Sequence, residues 1–420
     1  MAIKRIKVSN FKSFKELNLE LANFNVVIGA NASGKSNFTQ IFRFLRDIEK
    51  EDRLNDAISM NAGIESLRNL KIGPASDFTI QIQLDTAMAW GRPSQAIQIY
   101  DLTYQFALSF EETQNTFKIA NDELTQKFKI AMLEETEKGL FEETEVLDQG
   151  ELIIRNVKGK PEFYFDPPEI AERLEKDRIM PPLSFFAKLP RGELPTDTLL
   201  IQAPYSIIPP WETLFKDIAI YDIDPHIAKN PAQITGKSEL AEDGQNLALV
   251  LNKLIEDKDK KRKFCNLMKD LLPFFDDIDA EKFAERSLLI KLRENYYKDD
   301  YLRAYLLSDG TINITALLIA LYFEEKDIII VEEPERNIHP HLISKIIDMM
   351  KDASRNKQII VTTHSPEVVK HTGLEHLLLV SRDKDGFSNI SKPSEKKEVK
   401  IFLENELGLD ELYVQDLLAV

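Results

Sequence analysis

The sequence predicts an α/β fold: a mixed sheet with an antiparallel β lobe and a parallel core, plus a mainly helical insertion lobe. Three observations predict it. An apolar strand, Asn25-Val26-Val27-Ile28, runs into a glycine-containing loop, Gly29 to Ser36, and then into a helical pattern. Two late apolar strands, Ile328 to Val331 and Ile359 to Val361, end in polar residues and are separated by helical spacing, as parallel strands with crossover helices require. Two alternating runs, Phe78 to Leu84 and Tyr104 to Phe110, have the period of antiparallel strands with one wet face.

Taken in order, Ile3 to Val8 alternates apolar and charged residues and reads as a strand, not as a signal peptide with a continuous apolar stretch. After the loop, Phe38, Ile41, Phe42, Leu45 and Ile48 form one face of a helix that starts near Lys35. From Leu124 to Arg293 no nucleotide motif is visible. Glu134 to Glu145 is rich in acid, and Pro167-Pro168, Pro181-Pro182 and Pro209-Pro210 punctuate the stretch. Gly244-Gln245-Asn246 opens a helix with Leu247, Val250, Leu251 and Leu254 on one side, and the charge run Asp257 to Lys263 reads as a solvated helix end. The last segment, Phe402 to Leu418, has apolar residues at helical spacing that suit docking on the chain's own core. The expected organisation is 1–124 for the first part of the core with the β lobe, 125–293 for the insertion lobe, and 294–420 for the rest of the core.

The 420 residues suffice for two or three domains or lobes. A net charge of −16 argues against a generally basic, nucleic-acid-coating surface but leaves room for a local basic patch. The single cysteine, Cys265, cannot form an internal disulfide, so a cytoplasmic location is expected. The longest apolar run, around Ala316 to Phe323, is too short to span a bilayer. No heptad array signals a coiled-coil arm.

Four motifs carry the chemistry. Gly29-Ala30-Asn31-Ala32-Ser33-Gly34-Lys35-Ser36 fits G-x-x-x-x-G-K-S in the strand–loop–helix context that a phosphate loop needs. Its glycines let backbone N–H groups approach phosphate oxygens, and the helix N-terminus adds positive potential. Lys35 would reach the β- and γ-phosphates and Ser36 would ligate Mg²⁺. Gly29, Asn31, Ser33, Gly34 and Asn37 complete the candidate nucleotide contacts. The strand Ile328 to Val331 ends in Glu332-Glu333-Pro334-Glu335, which places Glu332 to hold Mg²⁺ and Glu333 to act as general base on an attacking water. The strand Ile359 to Val361 ends in Thr362-Thr363-His364-Ser365, where His364 can bond a γ-phosphate and position that water. Leu307-Ser308-Asp309-Gly310-Thr311 precedes an apolar helix, Ile312 to Phe323. An ordinary N-cap explains Ser308 by itself, while a helix N-terminus just ahead of the carboxylate strand is also an anion site. His339 and His341 have no third ligand nearby and read as a structural helix start.

With these motifs in this order the chain resembles the ABC-type P-loop ATPases, within them the RecF-, SMC- and OLD-like branch, whose parallel core is RecA-like. Leu307 to Thr311 is similar to the Leu-Ser-Gly-Gly-Gln signature, with Asp and Thr in place of Gly and Gln. Val8-Ser9-Asn10-Phe11-Lys12-Ser13-Phe14 is similar to the opening of RecF and SMC heads, which implies that Lys12 lies near the nucleotide. Ile119 to Leu124 and Leu240 to Leu247 resemble recurring stretches of standalone prokaryotic ATPases of this branch. The resemblance implies ATP and Mg²⁺ as ligands and a homodimer, or higher oligomer, in which Lys35 and Ser36 of one copy and Ser308 and Gly310 of the other enclose each ATP. The glutamine loop of the family cannot be placed; Gln81, Gln83 and Gln105 are its candidates.

The absence of heptads excludes a long-armed SMC protein. The chain after His364 is expected to be too short for the nuclease domain of an OLD-type enzyme, and Asp222-Ile223-Asp224 reads as a turn before Pro225. The resemblance therefore implies an ATPase of an anti-phage or toxin–antitoxin-like system that controls a separately encoded effector, a nuclease or toxin. The alternative is a RecF-like DNA-binding ATPase of repair or recombination, with steeply salt-dependent DNA binding.

Overall fold

A computed structural model describes residues 1–420 apart from 52, 93–94, 111–115, 136–140, 177–193, 203–213, 235–238, 298–299, 405–407 and 420. The chain forms two compact units, each assembled from separated segments. The first comprises Met1–Leu21, Asn37–Asp217 and Arg382–Ile390; the second comprises Ala22–Ser36, Ile218–Ser381 and Ser391–Val420. The phosphate-loop motif ends where one unit gives way to the other.

The first unit is built on an antiparallel sheet. Its strands are β1 (Ala2–Phe11), β2 (Phe14–Glu20), β4 (Phe78–Arg92), β5 (Gln95–Phe110), β6 (Phe117–Glu135), β7 (Phe141–Val157) and β8 (Lys160–Asp166), in the order β2-β1-β4-β5-β6-β7-β8; β3 (Phe24–Ile28) belongs to the second unit. Alternate residues point to one buried face: Phe78, Ile80, Ile82 and Leu84 on β4, Leu102, Tyr104, Phe106 and Leu108 on β5, and Leu124, Phe128 and Ile130 on β6. The helix Lys35–Lys50 buries Phe38, Ile41, Phe42, Phe44, Leu45 and Ile48, and Phe44 meets Phe78 at a ring separation of 5.9 Å. The expected helical face therefore exists, and it is widened by Phe44.

Among the described residues, the expected mainly helical lobe over 125–293 is not what forms. Those up to Asp166 finish β6 and supply β7 and β8, because Leu124, Gln126, Phe128 and Ile130 keep the two-residue period and bury even the glutamine. The acid-rich stretch from Glu134 is part of this ladder where it is described, with Lys129 paired to Glu143 at 2.6 Å and Lys127 to Glu151 at 3.2 Å. Later in the same span, β9 (Ile218–Tyr221) joins the parallel core. A small antiparallel sheet follows, made of β10 (Ala232–Gln233), β11 (Phe275–Ala284), β12 (Ser287–Glu294) and β13 (Leu302–Arg303). Helices do occur at Glu169–Lys176, Leu247–Glu256 and Lys258–Leu271, the last capped by the Asp257 carboxylate, which accepts from the Asp259 and Lys260 N–H groups. The charge run thus starts a helix. The proline pairs at 181–182 and 209–210 lie outside the described residues.

In the second unit the parallel strands are β14 (Ile328–Glu332), β15 (Gln358–Thr363) and β16 (Leu377–Arg382), with β3 and β9, in the order β16-β3-β15-β14-β9. Each carries an apolar, buried run, as strands covered on both faces must. The register aligns Thr363 with Ile28 and Glu332 with Thr362, so the ends of β3, β15 and β14 lie level. Between β14 and β15 runs the helix Pro340–Ala353, capped by His339, whose Nδ1 accepts from the His341 N–H; this is the structural helix start expected. The helix Asp309–Tyr322 is buried from Thr311 to Leu321 and forms the centre of the unit's core. The C-terminal segment docks on this core through Leu412 and Leu418. No helix among the described residues is long and apolar enough to cross a membrane.

Candidate functional site

At the end of β3 the chain turns through Gly29 with φ +156°, Ala32 with φ +61° and Gly34 with φ +123°. A Cβ on Gly29 would lie 2.4 Å from the Val380 carbonyl oxygen and 2.7 Å from Ser33 Oγ, so only glycine fits there. Ser33 and Gly34 are buried, while Asn31 and Ser36 are exposed at the loop rim and the helix start. Lys35 Nζ folds back onto its own loop, donating to the Gly29 oxygen at 2.7 Å and the Ala30 oxygen at 3.1 Å. Burial pulls the Lys35 pKa down, against the opposing pull of Glu333 and Glu335. Three donors on a flexible stem, held by two neutral carbonyls beside two carboxylates, make a cation that an incoming polyphosphate can redirect.

Glu332 and Glu333 stand at the end of β14. Glu333 is held in a left-handed conformation, φ +46°, and its N–H still donates to the Thr362 oxygen at 2.8 Å. That kink turns the Glu333 carboxylate toward the end of β15. Its Oε1 is 2.9 Å from His364 Nδ1, and its Oε2 accepts from Arg336 at 2.9 Å. Burial raises the Glu333 pKa, but Arg336 and then His364 outweigh it, and the carboxyl is held below its usual value. Glu335, two residues on, accepts from Thr363 Oγ1, and its Oε2 is buried with no protein partner. Burial raises its pKa.

This donor set fits Mg²⁺. Ser36 and Glu332, with the orphaned Glu335 oxygen close to the same strand ends, offer only hard oxygen atoms. Among the described residues no cluster of three or more His, Cys, Asp or Glu side chains forms a metal cage. Magnesium is characteristically bound through one or two carboxylates together with substrate phosphates.

Ser308 caps the helix Asp309–Tyr322, its Oγ accepting from the Thr311 N–H at 3.1 Å. Asp309 pairs with Lys229, which holds its carboxyl below the usual range. A Cβ on Gly310 would stand 2.5 Å from the Asn337 carbonyl oxygen. Ser308, Asp309 and Gly310 therefore each have a role inside their own chain.

In the first unit, Lys12 and Asn37 line one cavity of about 580 Å³, together with Ser13, Arg68, Lys71 and Arg382. Lys12 sits at φ +47° and donates through Nζ to the Ser66 oxygen, and Asn37 donates to Ser13 Oγ at 2.8 Å. The excess of cations makes this cavity the local basic patch that the acidic total charge concealed. The glutamine candidates lie on the antiparallel sheet, where Gln83 donates to Asp101 and Gln105 to Glu123 across strands.

Sequence reasoning missed Arg336, Glu335 and Asp222. The sequence reads Asp222 as part of a turn, and Asp224 does cap the short helix Pro225–Ala228. Asp222 itself accepts from Arg336 at 2.9 Å. The signal was present: Ile218-Ala219-Ile220-Tyr221-Asp222 is an apolar strand ending in a carboxylate, as Ile328 to Glu333 is.

The chain is similar to several known proteins. Septu protein PtuA of Bacillus thuringiensis is 30% identical over 90 residues, 20% of this chain and 23% of that protein. Endonuclease GajA of Bacillus cereus is 43% identical over 49 residues, 12% of this chain and 8% of that protein. The chain thus spans less than a quarter of the length of each. A solved SMC head bound to the C-winged helix domain of ScpA aligns over 93% of this chain and 98% of that one, with 14% identity and a TM-score of 0.47. A family model described as "AAA domain, putative AbiEii toxin, Type IV TA system" matches residues 24–370, from the first residue of β3 through the helix after His364. The chain belongs to this AAA-domain family, as the order of its motifs led one to expect.

Proposed function

We propose that this chain binds and hydrolyses ATP, that two copies close around ATP, and that the cycle controls a separately encoded effector, a nuclease or toxin, in anti-phage defence. The observation that carries the reading is the Glu333–His364 pair at the level ends of β14 and β15, beside the strand that bears the phosphate loop. Membership of an AAA-domain family implies ATP binding. Lys35 would leave the Gly29 and Ala30 carbonyls for the phosphates, and Ser36 with Glu332 would hold Mg²⁺. Bound Mg²⁺ supplies neutralisation of phosphate charge. Glu333, kept ionised by its neighbours, takes a proton from the attacking water, and His364 keeps that carboxylate and the water in line. Ser308 and Gly310 of the opposing copy complete the enclosure. The resemblance adds Lys12 and Asn37 as further candidate nucleotide contacts. Control of an effector draws on the toxin and toxin–antitoxin wording of the family description and on the endonuclease named among the relatives.

The test is mass by light scattering with and without ATP–Mg²⁺, on wild type and on Glu333→Gln, Lys35→Ala and Ser308→Arg, alongside phosphate release. Glu333→Gln is expected to trap a persistent larger assembly with ATP, and adding Ser308→Arg or Lys35→Ala to abolish it. A mass that ATP leaves unchanged in every variant would refute ATP-driven association. Phosphate release at wild-type rate from Glu333→Gln would refute the assigned base.

A further inference from the structure

The Glu333 carboxylate has two occupied oxygens, and only one of the partners belongs to the strand ends described so far. The other, Arg336, lies one turn further along the same loop and forks between two carboxylates: one guanidinium nitrogen donates to Glu333 Oε2 and another to Asp222 Oδ1, each at 2.9 Å. Asp222 follows β9, which pairs with β14 through Ile218 to Tyr221. The bridge therefore ties the ends of two adjacent core strands together. Arg336 is itself fixed. Its N–H donates to the Glu333 oxygen at 3.0 Å, and its carbonyl accepts from Asn313 Nδ2 at 2.7 Å on the central helix Asp309–Tyr322. The next residue, Asn337, has φ +62° and its carbonyl packs against Gly310. A planar guanidinium satisfies such a two-carboxylate geometry in a way that an ammonium cannot.

We propose that Arg336, anchored by Asp222, is a positioning residue for ATP hydrolysis: it fixes the rotamer of Glu333 so that the other carboxylate oxygen faces His364 and the attacking water. The inference rests on the ATPase reading above. Arg336 acts through Glu333, which it bonds directly. The titratable and charged groups that face Glu333 are Arg336, His364, Lys35 and Glu335.

The test is steady-state ATP hydrolysis by wild type, Arg336→Gln, Arg336→Lys and Asp222→Asn, with Glu333→Gln as reference. In Arg336→Gln kcat should fall by about 10-fold or more through misplacement of the base, with KM for ATP nearly unchanged. Arg336→Lys should recover only part of kcat, since lysine returns the charge without the fork. Asp222→Asn, which leaves Arg336 in place without its anchor, should lower kcat by less, again at nearly unchanged KM. It also gives a reading if Arg336→Gln fails to fold. Hydrolysis that needs Glu333 but has the same kcat in all three variants, or a loss that falls on KM instead, would overturn this inference alone. Hydrolysis indifferent to Glu333→Gln would sink the ATPase reading and this inference with it.

Discussion

Replacing Glu49 with glutamine tests how the helix that carries the phosphate loop is anchored. Glu49 lies in the last turn of the helix Lys35–Lys50, where the helix dipole already disfavours negative charge. Its carboxylate accepts the Phe215 N–H, while its Oε1 is buried without a partner. Burial, with a smaller push from Asp217, raises its pKa to about 7 from 4.5, against the opposing pull of the Phe215, Leu214 and Lys216 N–H groups. The sign follows from linkage. Below pH 4.5 the group is protonated in both folded and unfolded chains. Between 4.5 and 7 the folded chain keeps the proton that the unfolded chain has lost, so stability falls as pH rises, and above 7 the full penalty is in place. The gap corresponds to about 3 kcal/mol. Glutamine copies the shape of the neutral acid and keeps one acceptor for the N–H groups. In urea titrations Glu49→Gln should match wild type within about 1 kcal/mol at pH 5 and exceed it by about 3 kcal/mol at pH 8, with the same dependence on urea. A difference that does not change with pH, or a glutamine variant weaker than wild type at pH 8, would refute the reasoning.

Two further substitutions probe the loop and the β lobe. Gly29→Ala places a Cβ against the Val380 carbonyl and forces a φ that alanine avoids; it should cost about 2–4 kcal/mol in thermal or urea unfolding and abolish ATP binding measured by calorimetry. Asp122→Ala removes the acceptor of Tyr104 Oη (2.9 Å), Asn156 Nδ2 (3.1 Å) and the Leu200 N–H (2.8 Å), and should cost at least about 3 kcal/mol. Burial raises the Asp122 pKa to about 6 from 3.8, so the wild-type contribution declines between those values, and the loss should be larger at pH 5 than at pH 7.

What could be read in the sequence follows from where chemistry meets periodicity. The phosphate loop, the Glu333 strand and the His364 strand each pair an apolar run with a polar terminus, and parallel strands must present such termini at one edge. By that logic Glu333 and His364 end neighbouring strands, and in the structure they lie 2.9 Å apart. It stopped short at Asp222, because Pro225 suggested a turn and the strand before it carries no familiar motif. The antiparallel lobe was truncated at Leu124 for a different reason. Gln126 and the glutamates after it mask an alternation that burial of one face restores. Arg336 was beyond reach, since its fork joins residues 114 positions apart.

Gly310 and Ser308 differ in what they can say about a second copy. Glycine at 310 is already demanded inside one chain, where a Cβ would strike the Asn337 carbonyl, so a bulky substitution there would shift the turn that holds Arg336 even in a monomer. An activity lost at Gly310 is therefore ambiguous. Ser308 has only its cap to lose: its Oγ serves the Thr311 N–H and hydroxyl, and Ser308→Asn preserves an acceptor at that position. Ser308→Arg combines loss of the cap, about 1 kcal/mol, with a large cation on the exposed side of the helix start. If Ser308→Asn assembles on ATP and Ser308→Arg does not, while both melt within the margin of a lost cap, the effect lies between copies. If both fail alike, the helix start matters only to its own chain.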